Sequence, residues 1–149
     1  MNPVVFGGVA GAFLAGALIA LQAPTNALLS RGAGSAINAA LVSFAVGLLA
    51  LLVAAFAIGG RPNAAVVREL PWYAWTGGIY GAVFVAIAAF AAPRLGITFF
   101  LIVAIAGQLA MALLLDRTGA FGLPVVAISW PRVGGVLLVL AGAWLVQQR

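Results

Sequence analysis

Five polar side chains sit in or at the end of long apolar stretches: Gln22, Asn26, Ser43, Tyr80 and Gln108. Each offers hydrogen bonds and none offers a charge at neutral pH. The Gln108 amide supplies two donors and an acceptor, and it shares a helical face with Ala104 and Ala112. Gln22 and Asn26 flank Pro24, whose missing N–H is expected to break a helix locally and free carbonyls to line a cavity. Thr76 and Tyr80 are four residues apart and would share a face, whereas Asn38 and Ser43 would not. The chemistry open to this set is the reversible binding of a polar solute. The plainer reading of every member is a structural hydrogen bond between helices or at a helix end. Residues that would support catalysis are missing: the chain has no cysteine and no histidine. Disulfides, thiolate nucleophiles, Cys/His zinc sites and imidazole acid–base catalysis are thereby excluded, and no cofactor is implied.

The apolar stretches themselves define the class. Of 149 residues, 66% are hydrophobic and 6% charged, with a mean hydropathy of +1.25. Soluble domains carry about 25% charged residues, so the chain reads as an integral membrane protein and its net charge as a matter of loop orientation, not nucleic-acid binding. A bilayer-spanning helix takes about 20 apolar residues. The hydropathy pattern predicts an all-α domain of five transmembrane helices, over residues 3–21, 36–58, 72–92, 95–115 and 133–146, the last extendable towards Ile128. The charges lie between or at the ends of these spans, as hydrocarbon solvation demands.

Residues 23–35 and 59–71 have loop compositions rich in Gly, Pro and Asn, and Pro93-Arg94 reads as a tight turn making an antiparallel hairpin of the third and fourth spans. Trp72, Trp75, Trp130 and Trp144 fall near span ends, where aromatic belts form. The uncharged beginning and long first span argue against a cleaved signal peptide. The absence of alternating polarity argues against a transmembrane barrel.

Five spans divide the arginines between the two membrane faces almost evenly. Arg61, Arg68, Arg117 and Arg132 fall on one face, and Arg31, Arg94 and Arg149 on the other. Orientation follows the Lys/Arg asymmetry of short loops, and four against three is close to none. Two readings follow: fixed insertion under a weak bias, or dual topology with oppositely inserted copies paired as an antiparallel homodimer. Such a pair would reproduce the inverted repeats of many transporters. Small-residue faces suit close helix packing, within a subunit or between copies. They run through Gly7, Gly8, Gly11 and Gly16, through Gly77, Gly78 and Gly81, and through Gly134, Gly135 and Gly142.

Taken in order along the chain, several segments carry a family resemblance. They are Leu21-Gln22-Ala23-Pro24-Thr25-Asn26, Leu41-Val42-Ser43-Phe44 with Gly47, Trp72 with Gly77-Gly78 and Gly81, Pro93-Arg94-Leu95-Gly96, Gly107-Gln108, and Asp116 with Gly119, Phe121 and Gly122. Arg132, Gly135 and Leu140-Ala141-Gly142 complete the pattern. The chain resembles the YdcZ-type inner-membrane exporters of the drug/metabolite transporter superfamily over nearly its whole length. It departs from them at Arg117-Thr118, where similar sequences tend to carry a histidine and an aromatic residue.

The resemblance implies a five-helix subunit of a bacterial inner membrane, paired antiparallel with an inverted copy or an inverted sister chain. It also implies relatedness to ten-helix metabolite transporters and to four-helix multidrug exporters. On this reading an unidentified small solute crosses by alternating access, through a site near the midplane between two copies, lined by Gln108 and neighbours from the first and third spans. A passive channel of the same design and an accessory subunit of a larger complex are the competing readings. No acid lies deep in a span, so a neutral, zwitterionic or anionic solute is expected in place of a lipophilic cation.

Overall fold

The computed structural model describes residues 2–59 and 64–147. Among these the chain is helical, without strands: α1 (Pro3–Ala33), α2 (Ala36–Ile58), α3 (Ala64–Arg68), α4 (Gly77–Leu95), α5 (Ile97–Thr118) and α6 (Trp130–Gln147). Short 3-10 turns cover Trp72–Trp75 and Ala120–Gly122. Four stretches are long and apolar enough to cross a membrane, namely α1, α2, Trp72–Leu95 and α5, and α6 is a shorter apolar helix. Arg61 and Arg149, two of the charges counted for orientation, lie outside the described residues.

Two compact units divide the chain at Arg94 and Leu95. In the first unit α1 packs against α2 through the two-residue link Gly34-Ser35. Polar caps start both helices. The Asn2 side chain accepts from the Val4 N–H at 3.0 Å, and the Ser35 hydroxyl accepts from the Asn38 N–H at 3.0 Å. The Asn38 amide in turn donates to the Ala33 carbonyl at 2.8 Å, which satisfies one of the groups left over at the end of α1. In the second unit α5 packs against α6. The backbone turns after α5 at Gly119, which has φ 62 and donates its N–H to the Leu115 carbonyl. A Cβ there would stand 2.7 Å from a Val125 methyl and 3.1 Å from the Leu123 carbonyl oxygen, so this turn has room for glycine alone.

The expected loop at 23–35 shrinks to Gly34-Ser35. The helix continues through Pro24 to Ala33, because a proline removes one N–H and one helical bond while the surrounding apolar turns keep theirs. The Thr25 hydroxyl reinforces the same turn, donating to the Leu21 and Gln22 carbonyls at 3.1 and 3.0 Å. At 31 residues α1 is about 46 Å long, well beyond the roughly 30 Å hydrocarbon core.

The turn expected at Pro93-Arg94 also lies inside a helix. α4 runs to Leu95 and stops at Gly96, whose φ of 83 ends the helical path. Arg94 folds back on its own helix, donating to the Phe90 carbonyl, with its guanidinium 3.7 Å from the Phe90 ring centroid. The third apolar stretch begins as the 3-10 turn Trp72–Trp75, and α6 begins at Trp130, three residues before Val133 and short of Ile128.

Candidate functional site

Asn26 is the one polar residue buried among the described residues, 3% exposed in a stripe with Ala23 and Ala27 on α1. Its Nδ2 has no hydrogen-bond partner among the described residues. An unpaired buried donor costs about 1–3 kcal/mol, which makes this amide the group most in need of an acceptor from outside the chain. Asn26 and Ser43 are each eight residues from the Gly34-Ser35 link, one back along α1 and one on along α2. The helical hairpin therefore sets them at a common level. Ser43 is half-buried. Gln22 is exposed one turn before Asn26, and Pro24 between them leaves the Ala20 carbonyl without its usual donor. This freed carbonyl is what survives of the expected helix break.

On α4 the structure joins two of the sequence-derived candidates. The Thr76 hydroxyl bonds the Tyr80 hydroxyl at 2.9 Å and donates to the Tyr73 carbonyl at 2.7 Å. Tyr80 is largely exposed, so the pair presents a hydroxyl doublet on the helix surface. Below it Gly81 lets α4 approach α2: a Cβ there would stand 3.1 Å from the Phe44 ring. The adjoining groove of about 560 Å³ is lined by apolar residues of α2 and α4, including Ile37, Leu41, Phe44 and Ile87.

Gln108 lies in the second unit, on the exposed surface of α5. It borders neither of the two grooves described here. Nearby stands a feature that the reading from sequence passed over. The Asp116 carboxylate, at the end of α5, and the Arg132 guanidinium, in the first turn of α6, form an ion pair at 2.8 Å. The backbone carbonyl of Asp116 also accepts the Val126 N–H at 2.8 Å, drawing the connection back onto the helix end. A cavity of about 340 Å³ opens beside the pair. The signal was present in the sequence as two opposite charges bracketing one connection, although counting charges by membrane face treated them separately.

The glycine faces are open. At Gly7, Gly8, Gly11, Gly16, Gly77, Gly78, Gly134, Gly135 and Gly142 an added Cβ would meet nothing within 4 Å among the described residues. Packing within the first unit accounts for Gly81.

Comparison with curated proteins and with solved structures gives no match. A family model described as "Putative inner membrane exporter, YdcZ" matches residues 7–145. That span holds all five candidate residues and the whole of α2 to α5, and together with the long apolar helices it describes a multi-pass protein of the inner membrane that serves transport. The chain belongs to the YdcZ inner-membrane exporter family.

Proposed function

We propose that the protein carries a small neutral, zwitterionic or anionic solute across the inner membrane by alternating access, as a dual-topology antiparallel dimer of five-span subunits. The observation that carries this reading is the set of glycine faces on α1 and α4 left open within the first unit. Lipid gives helices no hydrophobic reason to associate, so faces that allow close backbone approach serve contacts with another helix. An inverted copy supplies such helices and makes the inward-open and outward-open states equal in energy by symmetry. The near-even arginine distribution supports insertion in both senses. In α6, 18 residues span about 27 Å, enough for a slightly thinned or protein-lined crossing.

Within this reading Asn26, with its orphaned amide, is the foremost solute contact in the first unit, supported by Gln22, Ser43 and Tyr80. Gln108 is the contact of the second unit. An inverted sister chain in place of the second copy would satisfy the same faces.

Two measurements test the proposal. The chain lacks cysteine, so single cysteines introduced at Arg31 and Arg61 can be labelled from either side of sealed vesicles. Labelling of each position from both sides is expected, and exclusive labelling from opposite sides would remove dual topology. Gln108→Ala deletes an exposed amide and should weaken saturable counterflow by about tenfold, roughly one hydrogen bond's worth, while the dimer persists. Loss of the dimer in its place would make the amide structural. Ion flux without exchange would favour a channel.

A further inference from the structure

The cavity beside Asp116 and Arg132 has the layout of a binding site for an amphiphile. On α5 its wall follows Leu109, Ala112 and Leu113 up to Asp116, positions related by three, four and seven residues and so on one helical face. On α6 Arg132, Gly135 and Val136 repeat the spacing. The charged end therefore sits where the apolar spans end, and the apolar wall runs from there about two turns, some 10 Å, into the hydrocarbon region. Gly135 keeps the groove open, since a Cβ there meets nothing within 4 Å among the described residues.

The ion pair leaves capacity unused. The contact joins one guanidinium nitrogen to one carboxylate oxygen, whereas arginine has five N–H donors and a carboxylate about four acceptor sites. Both side chains are more than one-third exposed, and a half-exposed pair adds little to stability by itself. Its arrangement is better matched to recognition: a cation and an anion held side by side at the head of an apolar groove of about 340 Å³, within the size range of small-molecule sites.

We infer that the α5–α6 groove binds an amphipathic zwitterion, its primary ammonium on the Asp116 carboxylate, its phosphate or carboxylate on Arg132, and its apolar part along Leu109, Leu113 and Val136. Each half of the internal pair is exchanged for a charge-assisted bond to the ligand. A phospholipid with a phosphoethanolamine headgroup and a soluble apolar amino acid share this chemistry. The site is separate from the candidate solute contacts and stands whether or not the protein transports anything.

The test uses the purified full chain, with bound lipid read by native mass spectrometry. Phosphatidylethanolamine, phosphatidylcholine and phosphatidylglycerol of matched chains are supplied in turn, and leucine is titrated separately in phosphatidylcholine nanodiscs. Phosphatidylcholine has no ammonium N–H and phosphatidylglycerol no cation. A preference of about tenfold for phosphatidylethanolamine over phosphatidylcholine is expected, the worth of one charge-assisted hydrogen bond. Asp116→Asn should erase that preference and turn it towards phosphatidylglycerol. Gly135→Leu fills the groove, leaves the ion pair in place, and should abolish binding of all three. Saturable leucine binding, lost in both variants, supports the site and assigns a soluble ligand. Absence of headgroup discrimination together with absence of leucine binding overturns the proposal. So does a preference that survives Asp116→Asn or Gly135→Leu.

Discussion

Single residues carry two kinds of information in this chain, and Asn26 and Gly119 illustrate them. The Asn26 amide is buried with an unused donor, so its presence opposes folding and calls for an explanation outside the fold. Asn26→Leu should raise thermal stability in detergent by about 1 kcal/mol, because the apolar side chain has no group to desolvate, while solute binding falls. Thermal unfolding with and without solute separates the two effects. Lower stability in the variant would make Asn26 a structural residue. Gly119 has no such second role. Its positive φ and the crowding of its missing Cβ mean that Gly119→Ala should cost about 1–2 kcal/mol or more. Gly107→Ala, in the open interior of α5, should be neutral or stabilising by up to about 1 kcal/mol. Denaturation of the two alanine variants side by side checks the contrast.

The four longest helices, α1, α2, α4 and α5, end at a glycine, and proline does not stop them. Pro24 and Pro93 both lie inside helices, while Gly34, Gly59 and Gly119 follow helix ends. In lipid a helix that stops exposes several unsatisfied carbonyls, whereas one that runs through proline frees a single carbonyl. Continuing is cheaper. Four of the described arginines, Arg31, Arg68, Arg94 and Arg117, lie in the last turns of their helices, where the helix dipole favours a cation; Arg132, in the first turn of α6, has the Asp116 carboxylate instead. Pro24→Ala restores the donor to the Ala20 carbonyl. It should stabilise α1, by less than the roughly 3 kcal/mol a proline costs in a soluble helix, and slow solute exchange by removing the freed carbonyl. Unfolding temperature and counterflow rate measured on one preparation decide it: a more stable variant with unchanged exchange would deny that carbonyl any part in transport.

For the whole molecule, the question is how so much apolar surface is used. Large side chains such as Phe13, Leu51, Phe56 and Leu138 are well over half exposed, and lipid receives them without penalty. Glycine faces gain little from lipid, and in the proposed dimer a second copy would cover them. A near-even charge balance is easily tipped. Two added arginines at Gly32 and Ala33 should fix one orientation, and two at Ala64 and Ala65 the other. Each variant alone should lose transport, and co-expression of the two should restore it. Transport by either variant alone would exclude an antiparallel dimer. Cysteine labelling in the same strains reports the orientation of each.

The helical class and the presence of long apolar helices were legible in the sequence, because hydrocarbon solvation acts on composition over about 20 residues and needs no knowledge of neighbours. The family was legible too, from small residues and polar residues kept in order along the spans. The continuation of α1 past Pro24 was not, since proline weighs as a breaker in water and only the unfavourable alternative in lipid keeps the helix going. Nor were the burial of Asn26 and the exposure of Tyr80, because facing is decided by which helix packs where. The pairing of Asp116 with Arg132 also waited on tertiary structure: 16 residues separate them in the chain, and only the return of α6 along α5 brings the two charges within hydrogen-bonding distance.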